Sequence, residues 1–216
     1  MGATVDEIWK RLEEWAAANA KPVARSLGKG VTDKAVAKAE AALGQPLPKD
    51  YLASLARHNG QKRGDFGSPG FVFGESLFPI ATSLETWRML AEILDEDDER
   101  PRKVLTDGPV RAVWWDKLWW PITDDGNNNL TCLDLHPAPR GRVGQVIQYW
   151  NDNLLRSVIA KSYADWLAEF ADDLDKGEYV YAEEYGGLML TQDALAEGLI
   201  EEPPAAFRPY KGKGKG

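Results

Sequence analysis

VWWDKLWWPITDDGNNNLTCLDLHPAPRGRVGQVIQYW, residues 113–150, is the stretch that decides the fold. Five of the nine tryptophans, Trp114, Trp115, Trp119, Trp120 and Trp150, fall inside it. Three apolar runs are separated by two turn signals. The first turn is Asp124-Asp125-Gly126-Asn127-Asn128-Asn129, where Gly and Asn tolerate the positive φ of tight turns. The second, residues 137–144, is rich in Pro, Gly and Arg. Aromatic and β-branched runs bounded in this way predict the strands of an antiparallel meander, with the flanking helices as its cover. Neighbouring strand residues point to opposite faces, so the pairs Trp114-Trp115 and Trp119-Trp120 cannot all face one core. One of each pair needs cover on the second face, expected from a helix, or stands at a surface where it would anchor a partner. Trp120 and Trp150 are assigned to the core and Trp114 to partner binding.

Toward the N-terminus, Thr4-Val5-Asp6-Glu7 is a capping box. Val5, Ile8, Trp9, Leu12, Trp15 and Ala16 then recur at helical spacing to near Asn19. Residues 21–30, with Pro22, Gly28 and Gly30, read as a linker, which makes this helix a loosely docked extension. Thr32 or Asp33 caps a second helix that ends at Leu43-Gly44. Residues 49–58 form a third. Phe71-Val72-Phe73 reads as a short strand and residues 77–80 as a second strand or edge. Ser83 caps a fourth helix, with Leu84, Trp87, Leu90, Ala91 and Leu94 inward. It runs into Asp95-Glu96-Asp97-Asp98-Glu99, where acid opposes the helix dipole and fraying is expected. Residues 100–109 read as a loop and 151–161 as ambiguous. Ser162 and Asp165 open a helix with the stripe Tyr163, Trp166, Leu167, Phe170 and Leu174, stopped by Gly177. Residues 178–185 alternate like a strand, and a short helix starts near Thr191.

Composition limits the function classes. At 216 residues and 44% apolar, the chain suits one domain with terminal additions. A net charge of −8 opposes direct nucleic-acid binding, and the Lys-Gly tail at 211–216 is too small a footprint to reverse that. The single cysteine, Cys132, excludes an internal disulfide and a multi-cysteine zinc site, and fits a reducing compartment. Charged residues Asp6, Glu7, Lys10, Arg11, Glu13 and Glu14 rule out a signal-type apolar region in the first helix, and no apolar run approaches ~18 residues. The expectation is a cytoplasmic protein with no membrane partner.

Two ordered sets of residues then match one pattern. The first is Ala39-Glu40, Leu43-Gly44, Leu47-Pro48, Asp50-Tyr51-Leu52 and His58-Asn59-Gly60. The second is Trp120-Pro121-Ile122, Gly126-Asn127, Cys132-Leu133-Asp134-Leu135 and Gly144-Gln145-Val146-Ile147. In this order and spacing the chain resembles the SUKH superfamily, which includes yeast cell-wall assembly regulators of the Smi and Knr type and many bacterial immunity proteins. A departure is the turn Gly126-Asn127-Asn128-Asn129, where the family often has a second glycine. The resemblance implies an α+β fold, helices packed against a mainly antiparallel sheet. It implies a SUKH-like domain over 31–177, preceded by a helix and linker at 1–30 and followed by an appendage at 178–210 and a disordered tail at 211–216. Bacterial members resemble small cytoplasmic inhibitors that bind a secreted toxin and have no catalysis of their own.

Other chemistries are weaker. Cys132, Asp134 and His136 alternate along one strand face, but a nucleophile and its base usually come from different elements. Leu133 and Leu135 should face the core, leaving Asp134 on the wetter side. Asp124, Asp125, Asn127 and Asn129 offer oxygen ligands, yet a calcium loop counted from Asp125 has Leu130 and His136 where Gly and an acid are required. A hairpin turn explains them without a metal. Gly64 to Gly70 lacks the lysine-serine pair of a phosphate loop. The expectation is therefore no enzyme, no metal and no cofactor. The function expected is immunity: stoichiometric occlusion of a cognate toxin, a cationic nuclease for example, through Asp95, Glu96, Asp97, Asp98, Trp114, Asp116, Asp124, Asp125 and Asn127. The alternative is a regulatory scaffold like the fungal cell-wall regulators, and exposed aromatic surface would serve a homodimer equally well.

Overall fold

The computed structural model describes residues 2–64, 67–96 and 104–208. Its centre is a six-stranded sheet in the order β1-β3-β4-β5-β6-β2. The strands are β1 (Ser76–Leu77), β2 (Leu105–Asp107), β3 (Trp119–Asp124), β4 (Leu130–Asp134), β5 (Gln145–Tyr149) and β6 (Leu155–Ala160). All pairings are antiparallel except β2 with β6, which is parallel. A separate hairpin joins β7 (Tyr179–Ala182) to β8 (Gly187–Leu190). The helices are α1 (Val5–Asn19), α2 (Lys21–Ser26), α3 (Asp33–Leu43), α4 (Lys49–Arg57), α5 (Ile80–Glu96), α6 (Tyr163–Asp175) and α7 (Thr191–Ala196). This is the α+β arrangement of helices on a mostly antiparallel sheet.

The meander forms as its pattern dictates. Gly126 (φ 86°) and Asn128 (φ 63°) supply the left-handed residues of the β3–β4 turn. Pro121 has no N–H for a ladder, and it sits where β1 does not reach, because β1 pairs only with Thr123 and Asp124. The register shifts there as well. Both sheet faces are buried, in two separate cores. Trp120, Leu133 and Val146 lie in the first core, beneath α1, α4 and α6. Cys132, Ile147, Leu130 and Tyr149 lie in the second, with Trp114, Trp115 and Trp119. Helix α5 serves both: Ile80 and Leu84 enter the first, Leu90 the second, with Trp87, Ile93 and Leu94 packed against it. The second face is thus covered by a helix, and Trp119 and Trp120 enter opposite cores; Trp114 and Trp115 precede β3 rather than lying in a strand, and both enter the second core. Each fully buried side chain of this size contributes roughly 1.5–3 kcal/mol.

Several expectations are corrected. The first helix is not loosely docked: Ile8, Trp9, Leu12 and Ala16 are buried in the main core. The Trp9 indole N–H donates to Ser54 Oγ at 2.8 Å, and Ser54 Oγ lies 2.9 Å from Tyr163 Oη, tying α1, α4 and α6. The presumed linker contains α2, with Pro22 in its first turn, where a missing N–H is harmless. Phe71-Val72-Phe73 is no strand; the chain reverses at Phe73 (φ 52°) and Gly74 (φ 83°). Helix α5 begins at Ile80 rather than after Ser83. The loop expected at 100–109 holds β2, and the ambiguous segment holds β6. Trp150 is 37% exposed, not core, because it follows the last paired residue of β5. Of the acidic run at 95–99 where fraying was expected, Asp95 and Glu96 lie in α5, while 97–99 and the tail at 211–216 fall outside the described residues.

Candidate functional site

The loop leaving α4 builds one wall of a large cleft. Gly60 (φ 60°) passes so close to β1 that a Cβ there would lie 2.3 Å from the Phe78 carbonyl carbon, so the position requires glycine. Next to it, Gln61 is 1% exposed and all its side-chain bonds are internal. Its Nε2 donates to Ser26 Oγ (2.9 Å) and to the Pro69 carbonyl (2.8 Å), and its Oε1 accepts from the Leu77 N–H (2.8 Å). Its main-chain N–H donates to the Leu77 carbonyl at 3.0 Å. One buried amide thus ties the end of α2, the loop at Pro69 and β1. Asn59 Oδ1 accepts from the Ile80 N–H at 2.8 Å and joins the same wall to the start of α5.

The opposite wall is the β3–β4 turn, with the β7–β8 turn beyond it. The cleft has two adjoining lobes of 760 and 980 Å³, which share Lys62, Arg63, Ser68, Ser76 and Asp124. In the first, Lys29, Lys62 and Arg63 face one carboxylate among the described residues, Asp124. The second adds Arg25 but also Asp125, Glu183 and Glu184, with Tyr181 and Tyr185. Tyr185 is 58% exposed. The cleft is cationic at one end and anionic at the other.

The turn acids are held by their own loop. Asp124 accepts from the Gly126 N–H. Asp125 Oδ1 accepts from the N–H groups of Asn127 (2.7 Å) and Asn129 (3.2 Å). Burial raises the Asp124 pKa, against the Gly126 hydrogen bond and the charge of Arg63. Behind it, Glu75 Oε2 accepts from the Thr131 hydroxyl at 2.7 Å and from the Thr123 hydroxyl, and burial pushes its carboxyl up. These hydrogen bonds account for the acidic turn as a turn. Among the described residues no cluster of three His, Cys, Asp or Glu could hold a metal ion.

The acids named from the sequence do not form one face. Asp124, Asp125 and Asn127 lie at the cleft end of β3. Asp116 lies at the other end, about 20 Å away along a six-residue strand. There its Oδ2 meets His136 Nδ1 at 2.9 Å and Arg111 Nε at 3.3 Å. Asp95 pairs with Lys117 at 2.6 Å, at the Asp116 end. Glu96 closes α5, while Asp97 and Asp98 lie outside the described residues. Trp114 is only 9% exposed, its ring edge-on to Tyr149 at 6.0 Å, in the second core rather than on the surface.

The Cys132, Asp134 and His136 set does not assemble a nucleophile. Cys132 is fully buried, and burial pushes its thiol well above its ordinary pKa. Asp134 is not on a wetter side: it is fully buried, because α5 and the tryptophan loop cover that face. Its carboxylate accepts from the His136 N–H (3.0 Å) and from Gln145 Nε2 (2.9 Å), and burial raises it to about 6.

Sequence reasoning missed Gln61, Glu75 and the gathering of Lys29 beside Lys62-Arg63 on one wall, where residues 26–29 hydrogen-bond to residues 59–62. The available signal was the run of glycines from Gly60 to Gly74 directly beside two cations. Such glycines mark close backbone approaches, which in this chain are to β1 and β8.

The model of the SMI1 / KNR4 family (SUKH-1) matches residues 30–169. The chain is 33% identical over 199 residues to the cell wall biosynthesis/cell cycle regulator smi1 of Schizosaccharomyces pombe, covering 86% of this chain and 39% of that protein. It is 26% identical over 222 residues to a glucan synthesis regulatory protein of Neurospora crassa, covering 87% and 42%. It is 22% identical over 233 residues to the cell wall assembly regulator SMI1 of Saccharomyces cerevisiae, covering 90% and 46%. The chain spans less than half the length of each of these relatives. No helix among the described residues is long and apolar enough to cross a membrane.

Proposed function

We propose that this chain, which belongs to the SMI1/KNR4 (SUKH-1) family, is an interaction module that regulates other proteins by binding them, without chemistry of its own. Its partners are proteins of cell-wall synthesis and its control, and its docking site is the two-lobed cleft. The observation that carries the reading is the division of labour in that cleft. Gln61 spends every hydrogen bond on holding the walls, while Lys29, Lys62, Arg63, Glu183 and Glu184 stand exposed around it. A preformed, charge-patterned surface suits specific and reversible association. The buried Cys132 removes the one thiol nucleophile the sequence offered.

The toxin-immunity expectation gives way to its alternative. The similar proteins are fungal regulators of cell wall and glucan synthesis, and of the acids that were to oppose a cationic toxin, Asp124 and Asp125 lie at one end of β3 while Asp116 and Asp95 lie at the other. The test is affinity capture on the immobilised chain from a fungal extract, compared with a Lys62→Glu/Arg63→Glu variant. Wall-synthesis proteins captured by the parent chain and lost by the variant support the reading. Capture of one toxic protein in equal proportion, with relief of its toxicity on co-expression, overturns it in favour of immunity. Capture that is indifferent to the variant removes the cleft as the docking site.

A further inference from the structure

We infer that the cationic lobe of the cleft is a receptor for a phosphorylated residue in an extended segment of a partner protein, and that the anionic lobe reads a basic residue beside it. This rests on the docking reading above and specifies its ligand. In a chain of net charge −8, three cations from two separate segments converge on one lobe. Lys29 comes from the connection between α2 and α3, and Lys62 and Arg63 from the loop after α4. Among the described residues only Asp124 stands against them, a formal excess of two positive charges (three minus one) within that set.

That excess matches a phosphomonoester, which carries about −1.5 to −2 at neutral pH, better than a single carboxylate. Among the described residues, Lys29, Lys62 and Arg63 form no ion pair within 4.0 Å. Lys29, Lys62 and Arg63 are all exposed, and Arg63 supplies the planar fork that phosphate oxygens accept in pairs.

The second lobe has the opposite bias, with Asp125, Glu183 and Glu184 against Arg25 outside the shared residues. A segment crossing both lobes would place its phosphate and a lysine or arginine at fixed separation. It is not recruited as an added strand. The outer edge of β1 is already occupied, because the N–H and carbonyl of Leu77 are both bonded to Gln61. Recognition therefore falls to side chains, and charge sets the specificity. The cleft volumes lie in the range of about 300–1,000 Å³ usual for bound ligands.

The experiment uses the full chain and randomised peptide libraries with a fixed central phosphothreonine, threonine or glutamate, read by fluorescence polarisation. Binding of the phosphothreonine library at least about tenfold tighter than the other two is expected, with enrichment of Lys or Arg at a flanking position. Lys62→Glu/Arg63→Glu should abolish the preference without lowering the melting temperature, since both side chains are exposed. Glu183→Lys/Glu184→Lys should keep the phosphate preference and change the flanking selection from basic to acidic. Equal binding of the three libraries, or a preference that survives Lys62→Glu/Arg63→Glu, overturns the inference. Phosphatase treatment of a captured partner separates the two levels. Capture that depends on Lys62 and Arg63 but survives phosphatase rejects the phosphate receptor and keeps the docking cleft; capture independent of both rejects both.

Discussion

The guanidinium of Arg156 lies 4.2 Å from the centroid of the Tyr149 ring and is fully enclosed. Its charge is met by main-chain carbonyls. Nη1 donates to the carbonyls of Asn153 (2.7 Å), Leu155 (2.9 Å) and Trp150 (3.2 Å), and Nη2 to that of Trp114 (3.1 Å). Burial lowers its pKa, as expected for a cation withdrawn from water. One side chain on β6 thereby holds the loop after β5 and the tryptophan segment before β3 against the second core.

Removing that fork should cost more than an ordinary core truncation. Arg156→Met keeps the apolar stem but leaves the buried Trp114 carbonyl and three part-buried carbonyls without their donor, a loss of about 2 kcal/mol. Arg156→Lys keeps the charge without the planar geometry and should fall between the two. Urea denaturation monitored by tryptophan fluorescence checks the order; a Met variant as stable as the parent would show that the carbonyls find other donors.

Gln61→Ala should open the cleft wall. The Leu77 N–H and the part-buried Pro69 carbonyl lose this partner, and Ser26 Oγ keeps only its bond to the Val23 carbonyl, at roughly 1–3 kcal/mol for each group left unsatisfied. Hydrogen exchange should accelerate at Leu77 and its neighbours while the β4–β5 ladder stays protected. Uniform acceleration throughout the sheet would mean that Gln61 supports the whole fold rather than the cleft.

Asp134 should make the protein less stable as pH rises from about 4 to about 7. Its folded pKa is raised to about 6 by burial, with Asp116 nearby adding to the effect, while an unfolded aspartate titrates near ~3.9. The folded state therefore holds the proton more tightly. The stabilisation is fully present below ~4 and is lost as pH passes through 6. Asp134→Asn should gain ~2–3 kcal/mol relative to the parent between pH 4 and 7.5. Parallel stability curves for the two proteins would refute this.

Glu13 should act in the opposite sense at low pH. The Arg57 guanidinium, bonded at 2.7 and 2.6 Å, holds its carboxyl down at about 2, with help from His58. Its contribution is present above the ordinary carboxylate range near ~4.3 and is lost as pH falls through about 2. Both partners are about one-third exposed, so solvent screening keeps the effect small. The His58 ring bridges Glu13 Oε1 (2.7 Å) and the Gly28 carbonyl (2.8 Å). Glu13→Gln should flatten the acid limb of the stability profile and broaden the amide resonances at Gly28 and Lys29; an unchanged acid limb would remove Glu13 from the balance.

The sequence by itself determined the local elements whose period matches their burial. Trp9, Leu12 and Ala16 wrote α1, the stripe from Tyr163 to Leu174 wrote α6, and Gly126 with Asn128 wrote the β3–β4 turn. It also determined that two faces of the sheet needed cover, since Trp119 and Trp120, adjacent on β3, cannot share one. Only the tertiary structure decided what depends on pairing between distant segments. β2 reads as loop because all three of its residues are exposed, and it becomes a strand only by lying parallel to β6. Trp150 reads as core because it is apolar, and it is left at the surface because the ladder ends at Tyr149. The cleft has no local signature, for its cations and acids come from α2, the loop after α4, the β3–β4 turn and the β7–β8 turn. Nothing in their own neighbourhoods encodes that they meet. Their meeting follows from one buried glutamine and the close approach of Gly60 to β1, both of them consequences of packing rather than of periodicity.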